Sequence, residues 1–274
     1  MANGNAYEGA LNAADSLRRH WPEYLMEAGE AGCYLLSACA LATLLWHPAS
    51  PLQGYLRNDA VRRMLMGAGM GATIILIVHS PWGKQSGAHF NPALTLAYCR
   101  LGKVASWDAL FYCASQFVGA VGGVVLAMLV LWGAPAHNAV RYSATLPGTY
   151  GYWVAFLAEV AVSFLLMMTV LVTTNHRILR PYTRHFVALL IASGIAFESP
   201  VSGMSANPAR TFGPAVWGRY WESLWIYLTA PTLGMLAAGE LFLRARSGKG
   251  PYCAKLDHQN DERCIFCHSG ENVS

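Results

Sequence analysis

The 274-residue chain is 54% hydrophobic and only 12% charged, where a soluble domain is nearer a quarter charged. A mean hydropathy of +0.31 is high for a chain that meets water on every side, which argues against a soluble enzyme and against a disordered protein. The net charge of +4 is small and no basic stripe interleaves with aromatics, so a nucleic-acid partner is not expected.

Residues 1–22 are polar and carry no pattern of a cleaved signal peptide. A membrane-crossing helix needs roughly 20 mostly apolar residues, and six such segments follow. The first covers 24–46 and is interrupted by Glu27 and Glu30. The second covers 61–78, and the third, 109–132, is nearly free of charge. The fourth, 152–173, carries Glu159. The fifth, 185–197, is short, and the sixth, 224–243, has Glu240 near its end. The 26 glycines suit close approach between membrane helices. Two apolar pieces remain, 91–101 and 207–217. Each is too short to cross and suits a re-entrant segment. Placing both termini on one side collects 13 of the 19 Lys and Arg there, which predicts cytoplasmic termini. The expected division is a polar N-terminal segment at 1–22, a membrane domain at 23–246 and a Cys/His-containing tail at 247–274.

The two short pieces repeat each other. Ser86-Gly87-x-x-x-Asn91-Pro92-Ala93 recurs as Ser202-Gly203-x-x-x-Asn207-Pro208-Ala209. Each copy follows the second span of its half and precedes the third. Three spans per half is an odd number, so the halves, about 23–133 and 150–246, must lie in opposite senses. Such inverted repeats place a site at the membrane midplane between broken helices. Asn is a strong N-cap and Pro fits the first helical position, so Asn91-Pro92 and Asn207-Pro208 each read as a helix start. Gly87 and Gly203 let the preceding backbone run extended and closely packed. Two segments entering from opposite faces would meet at their Asn-Pro ends, with two positive helix ends aimed at the centre. The predicted fold is therefore an all-α membrane protein of six transmembrane helices plus two re-entrant half-helices in an inverted 3+3 repeat.

At these residues the sequence resembles the aquaporin family, also called the major intrinsic proteins. Residues 86–93 and 202–215 match its two motif loops. Glu159 resembles the family's glutamate in the fourth span and Glu27 its counterpart in the first, with Glu30 as the alternative. The resemblance implies a pore in every subunit of a homotetramer in the lipid bilayer. It implies passive flow of water or a small neutral solute, with no enzymatic chemistry and no required cofactor. Asn91 and Asn207 would donate hydrogen bonds to the solute, and carbonyls of Gly87, Ala88, His89, Gly203, Met204 and Ser205 would accept them. Positive helix ends at the centre oppose cations and proton hopping, as is generally argued for aquaporin-type pores. His89 would line the inner vestibule or orient its loop. Glu27 and Glu159 would hold the loops by accepting backbone amides; as proton-relay carboxylates they would instead belong to a coupled transporter. The family also implies a plasma membrane or bacterial inner membrane.

Counting back from each Asn without gaps, the resemblance implies a selectivity filter of Gly71, Ile195, Met204 and Arg210. Water-selective members carry an aromatic at the first position and His at the second. Gly71 is therefore expected to widen the constriction, Ile195 to remove a polar wall, and Met204 to fill part of the space. Thr211, Ala215 and Tyr227 look water-channel-like, whereas Leu228 stands where water channels usually carry Trp. A wide, apolar filter would admit glycerol, hydrogen peroxide, ammonia or metalloid acids besides water.

The tail has its own chemistry. Cys253, His258, Cys264 and Cys267, with His268 beside them, offer soft and borderline ligands sufficient for a tetrahedral zinc site. Cys264-Ile265-Phe266-Cys267-His268 also has the form of a c-type haem attachment, which needs an oxidising compartment that a cytoplasmic tail does not meet. Reduced or redox-active thiols are the remaining reading, and a membrane sensor acting through the tail is the corresponding alternative function.

Overall fold

The structure is a computed structural model and describes residues 12–267; His268 lies outside them. Helix α1 runs Ala13–Trp46 and α2 Asp59–His79. A short helix α3, Pro81–Ser86, leads into α4, Pro92–Arg100, and then α5, Ser106–Val130. In the second half α6 is Tyr152–Thr174 and α7 is Thr183–Ser193. A π-helical turn, Gly194–Glu198, joins α7 to α8, Ser199–Ser202. Helices α9, Pro208–Gly218, and α10, Leu224–Ala245, complete the chain of helices. No strand occurs among the described residues.

Six helical segments are long and apolar enough to cross a membrane, and α4 and α9 are the two half-helices. Two spans differ from their hydropathy. The first helix begins at Ala13, well before the expected residue 24, because Asn12 caps it by accepting the Asp15 amide at 2.9 Å. Its polar early turns are inward-facing: the His20 ring and the Tyr24 hydroxyl meet Asp108 of α5 at 2.8 and 2.6 Å. The fifth span extends over Arg180–Ser202, beyond the apolar run. The π-turn carries the helix through its polar end, where the Ser199 hydroxyl donates to the Ile195 carbonyl at 2.7 Å.

The halves pack alike. Helix α1 lies on α5 as α6 lies on α10, and each half-helix crosses into the other half, α4 against α10 and α9 against α5. Small residues allow this closeness. A Cβ at Gly123 would collide with the Gly32 carbonyl, and one at Gly234 with the Val160 carbonyl. The outward faces are apolar, with Leu76, Val118 and Leu129 exposed. Trp132 and Trp153 stand exposed at helix ends, where amphipathic rings suit a membrane surface.

Candidate pore and its two mouths

The repeat extends to the backbone. Gly87 and Gly203 have φ of 102° and 86°, the left-handed region that favours glycine. The residues after them follow in parallel: Ala88 and Met204 at 56° and 55°, Phe90 and Ala206 at 32° and 50°. Non-glycine residues in this region persist only when their surroundings hold them. Two buried carboxylates do so. Glu27 accepts the amides of His89 and Phe90 at 2.8 and 2.6 Å, and Glu159 accepts those of Ser205 and Ala206 at 2.7 Å each. A third donor completes each set, the Gln116 amide on Glu27 and the Ser202 hydroxyl on Glu159, both at 2.6 Å. Glu30 takes a different part: it accepts the Ser86 hydroxyl at 2.8 Å. The Tyr112 and Tyr227 hydroxyls fix the Ser86 and Ser202 carbonyls at 2.8 and 2.5 Å.

The loops then join. Asn91 Oδ1 caps α4 through the Ala93 amide, and Asn207 Oδ1 caps α9 through the Ala209 amide, both at 3.0 Å. Their amide groups cross over: Asn91 Nδ2 donates to the Ala206 carbonyl at 2.9 Å, and Asn207 Nδ2 to the Phe90 carbonyl at 2.8 Å. Pro92 and Pro208 stand at the first helical positions. A cavity of about 40 Å³ touches both asparagines, with Tyr34, His89, Ser205 and Leu256 among its walls. That is room for a few waters.

The four expected filter positions have different surroundings. Arg210 is buried in the first turn of α9 and donates from Nη1 to the Ser143 carbonyl at 2.7 Å. Ser143 ends a run of three left-handed residues, Arg141, Tyr142 and Ser143, in the connection between the halves. Nothing in the sequence marked that carbonyl, since a backbone acceptor leaves no side-chain signature. Met204 lies against Gly194, where a Cβ would come within 2.6 Å of its sulfur. Ile195 is buried in the π-turn. Gly71 of α2 faces α7: a Cβ there would meet the Ala188 carbonyl at 3.1 Å.

The first motif loop holds the tail. The Leu256 amide donates to the Gly87 carbonyl at 3.2 Å. His89 pairs its Nε2 with the Ala254 carbonyl at 2.8 Å and its Nδ1 with the Thr95 hydroxyl at 3.0 Å. Phe266 stacks on the His89 ring, centroids 5.3 Å apart and planes within 4°. Arg263 forks onto Glu23, 2.8 Å from each carboxylate oxygen, and Gln85 donates to the same carboxylate at 2.9 Å. Asp257 pairs with Arg184 at 3.0 Å, and Asn175 accepts the Tyr252 amide at 2.8 Å. The tail is thus tied to α1, to the first motif loop and to the connection between α6 and α7.

Within it, one ligand atom each of Cys253, His258, Cys264 and Cys267 lies within 4.8 Å of the others. The Cys253 and Cys264 sulfurs are 3.4 Å apart, and His258 Nε2 is 2.9 Å from the Cys267 sulfur. The hydrogen bond with Cys253 holds the Cys264 thiol well below its usual range and pushes Cys253 up. Hydrogen bonds to Cys264 and Cys267 push His258 up to about 9.

Comparison with known proteins agrees with this architecture. The family model described as "Major intrinsic protein" matches residues 21–242. Aquaporin NIP2-3 of Zea mays is 32% identical over 69% of this chain and 61% of its own length. Aquaporin NIP1-3 of Oryza sativa subsp. japonica is 35% identical over 61% of this chain and 57% of its own. The chain thus spans about three fifths of the length of these relatives. The X-ray structure of the aquaglyceroporin from Plasmodium falciparum superposes with a TM-score of 0.67 over 81% of this chain and 95% of that one, at 18% identity, a likeness of fold. With a family match that runs from the first helix into the last, the chain belongs to the major intrinsic proteins.

Proposed function

We propose that the protein is a passive transmembrane channel for water and small neutral solutes that excludes ions and protons. The observation that carries this reading is the reciprocal pair, Asn91 to Ala206 and Asn207 to Phe90. It sets two half-helix N-termini head to head beside a cavity, where polar donors replace part of a solute's hydration shell. Positive helix ends at that point oppose cations. Glu27 and Glu159 each accept two backbone amides from their motif loops and a third hydrogen bond, from Gln116 of α5 and from Ser202, which favours a clamp over a proton relay. Arg210, Met204 and Ile195 form the selective mouth, with the Ser143 carbonyl orienting Arg210. Gly71 contributes the close contact of α2 with α7 rather than a wall.

The second reading concerns the solute. No aromatic and no histidine stands at the filter positions, which favours a facilitator for glycerol, hydrogen peroxide, ammonia or metalloid acids. The chain works as a homotetramer with a pore in each subunit and with both termini in the cytoplasm of a plasma or bacterial inner membrane. Passage needs no cofactor; the tail cysteines with His258 are a zinc-type donor set.

Osmotic swelling of proteoliposomes tests the channel. The expected result is flux linear in the gradient, weakly dependent on temperature and indifferent to a pH gradient. Uptake that follows the proton gradient would overturn it. The same vesicles in glycerol, peroxide and boric acid test the second reading, and permeation by water alone would remove the facilitator reading.

A further inference from the structure

The passage has an acceptor row on one side that the tail already uses. Leu256 occupies the Gly87 carbonyl, Ala254 and Phe266 enclose His89, and Leu256 lines the cavity that touches both asparagines. Ala254, Lys255 and Leu256 are almost fully buried, as are Cys264 and Ile265. The stretch has no helix or strand, and Lys255 turns its ammonium back onto the Glu262 and Arg263 carbonyls. Ordering such a stretch costs much conformational entropy, and a cross-link at four points lowers that cost.

The donor set for a cross-link is there. Three thiols and one imidazole converge, with no carboxylate among them. This is the chemistry of zinc and other thiophilic ions rather than calcium or magnesium. A tetrahedral zinc site, with zinc–sulfur bonds of about 2.3 Å, has sulfur–sulfur edges of about 3.8 Å. The 3.4 Å between Cys253 and Cys264 and the 4.8 Å outer limit bracket that edge. The ligands come from both ends of the 253–267 loop, so a bound ion would tie its base shut while Leu256 and Phe266 point at the first motif loop.

We infer that Cys253, His258, Cys264 and Cys267 bind a zinc-type ion, and that the metal-tied loop is a plug closing the tail-side mouth of the pore. The inference rests on the channel reading above. Release of the metal loosens the loop and opens the mouth, which couples solute flow to metal supply.

The full-length protein, purified without chelator, should carry one zinc per chain. Its cobalt-substituted form should show thiolate-to-metal charge-transfer absorption, lost in a C264S/C267S variant. In proteoliposomes, water permeability should rise about tenfold with a membrane-permeant chelator and fall again on adding zinc. A Phe266→Ala/Leu256→Ala variant should keep the metal and the cobalt spectrum yet be permeable in either state. Absence of zinc together with absence of the cobalt bands overturns the metal site, as does a Cys253–Cys264 disulfide in the purified protein. Bound zinc with equal permeability before and after chelation overturns the plug while leaving an active channel. Folded protein that passes no solute in any of these forms overturns both the plug and the channel.

Discussion

The two motif loops are built alike and finished differently. Each has a left-handed Gly, a clamped pair of amides and an Asn that caps its own half-helix while reaching across to the other loop. Around the second loop the neighbours are Arg210 and the Ser143 carbonyl, a charge held at a mouth. Around the first they are Phe266, Ala254 and Leu256, a folded tail in the mouth. The backbone is duplicated between the loops, and the groups that flank it are not.

The parallel is tested most severely at the clamps. Glu27→Gln and Glu159→Gln each turn a three-donor carboxylate into a group whose NH₂ faces amide donors. Each should cost about 3 kcal/mol, read as a drop in the thermal unfolding midpoint in detergent. Comparable losses sharpen the parallel; a large loss at only one position breaks it.

The asymmetric additions come next. Arg263→Ala leaves the fully buried Glu23 with the Gln85 donor. It should weaken tail docking by about 2 kcal/mol, seen as faster proteolysis of the tail with unfolding of the helices unchanged. Arg210→Ala removes the guanidinium from the other mouth. Glycerol flux should rise roughly tenfold, about 1.4 kcal/mol of barrier, with a measurable proton leak. An unchanged solute series would move selectivity away from that mouth.

The smallest expected effect is at Gly71. Ala there presses on the Ala188 carbonyl and should cost about 1 kcal/mol without altering the solute series. A changed solute range would return Gly71 to the pore wall.

What was legible in the sequence follows from what repeats. Asn-Pro-Ala twice, with Ser-Gly at the same offset, carried the half-helices and their caps, because capping is a local property of three or four residues. Six spans were legible because burial in lipid demands long apolar runs. The start of α1 was hidden by Ser16, His20 and Glu23, polar residues that face inward. The far end of the fifth span was hidden by Ser193, Glu198 and Ser199 around the π-turn. Gly71 was placed by counting along the chain, but which way a helix face turns depends on its neighbour, and a Cβ there would meet the Ala188 carbonyl of α7. The Cys and His spacing disclosed a donor set, while the docking of Phe266 on His89 joins residues far apart in sequence, and no local pattern encodes it.

One consequence of the crossed asparagines remains. A carboxamide carries two hydrogens on its nitrogen. In each asparagine one of them is committed to the opposite loop and the oxygen is committed to the residue's own helix. A single hydrogen per side chain is left over; the Ala209 and Arg210 amides take both lone pairs of the Asn207 oxygen, and the Asn91 oxygen keeps one. On the proposed channel reading, a molecule beside both asparagines is offered two hydrogens and accepts them with its own lone pairs, which water, glycerol and peroxide have and ammonium lacks.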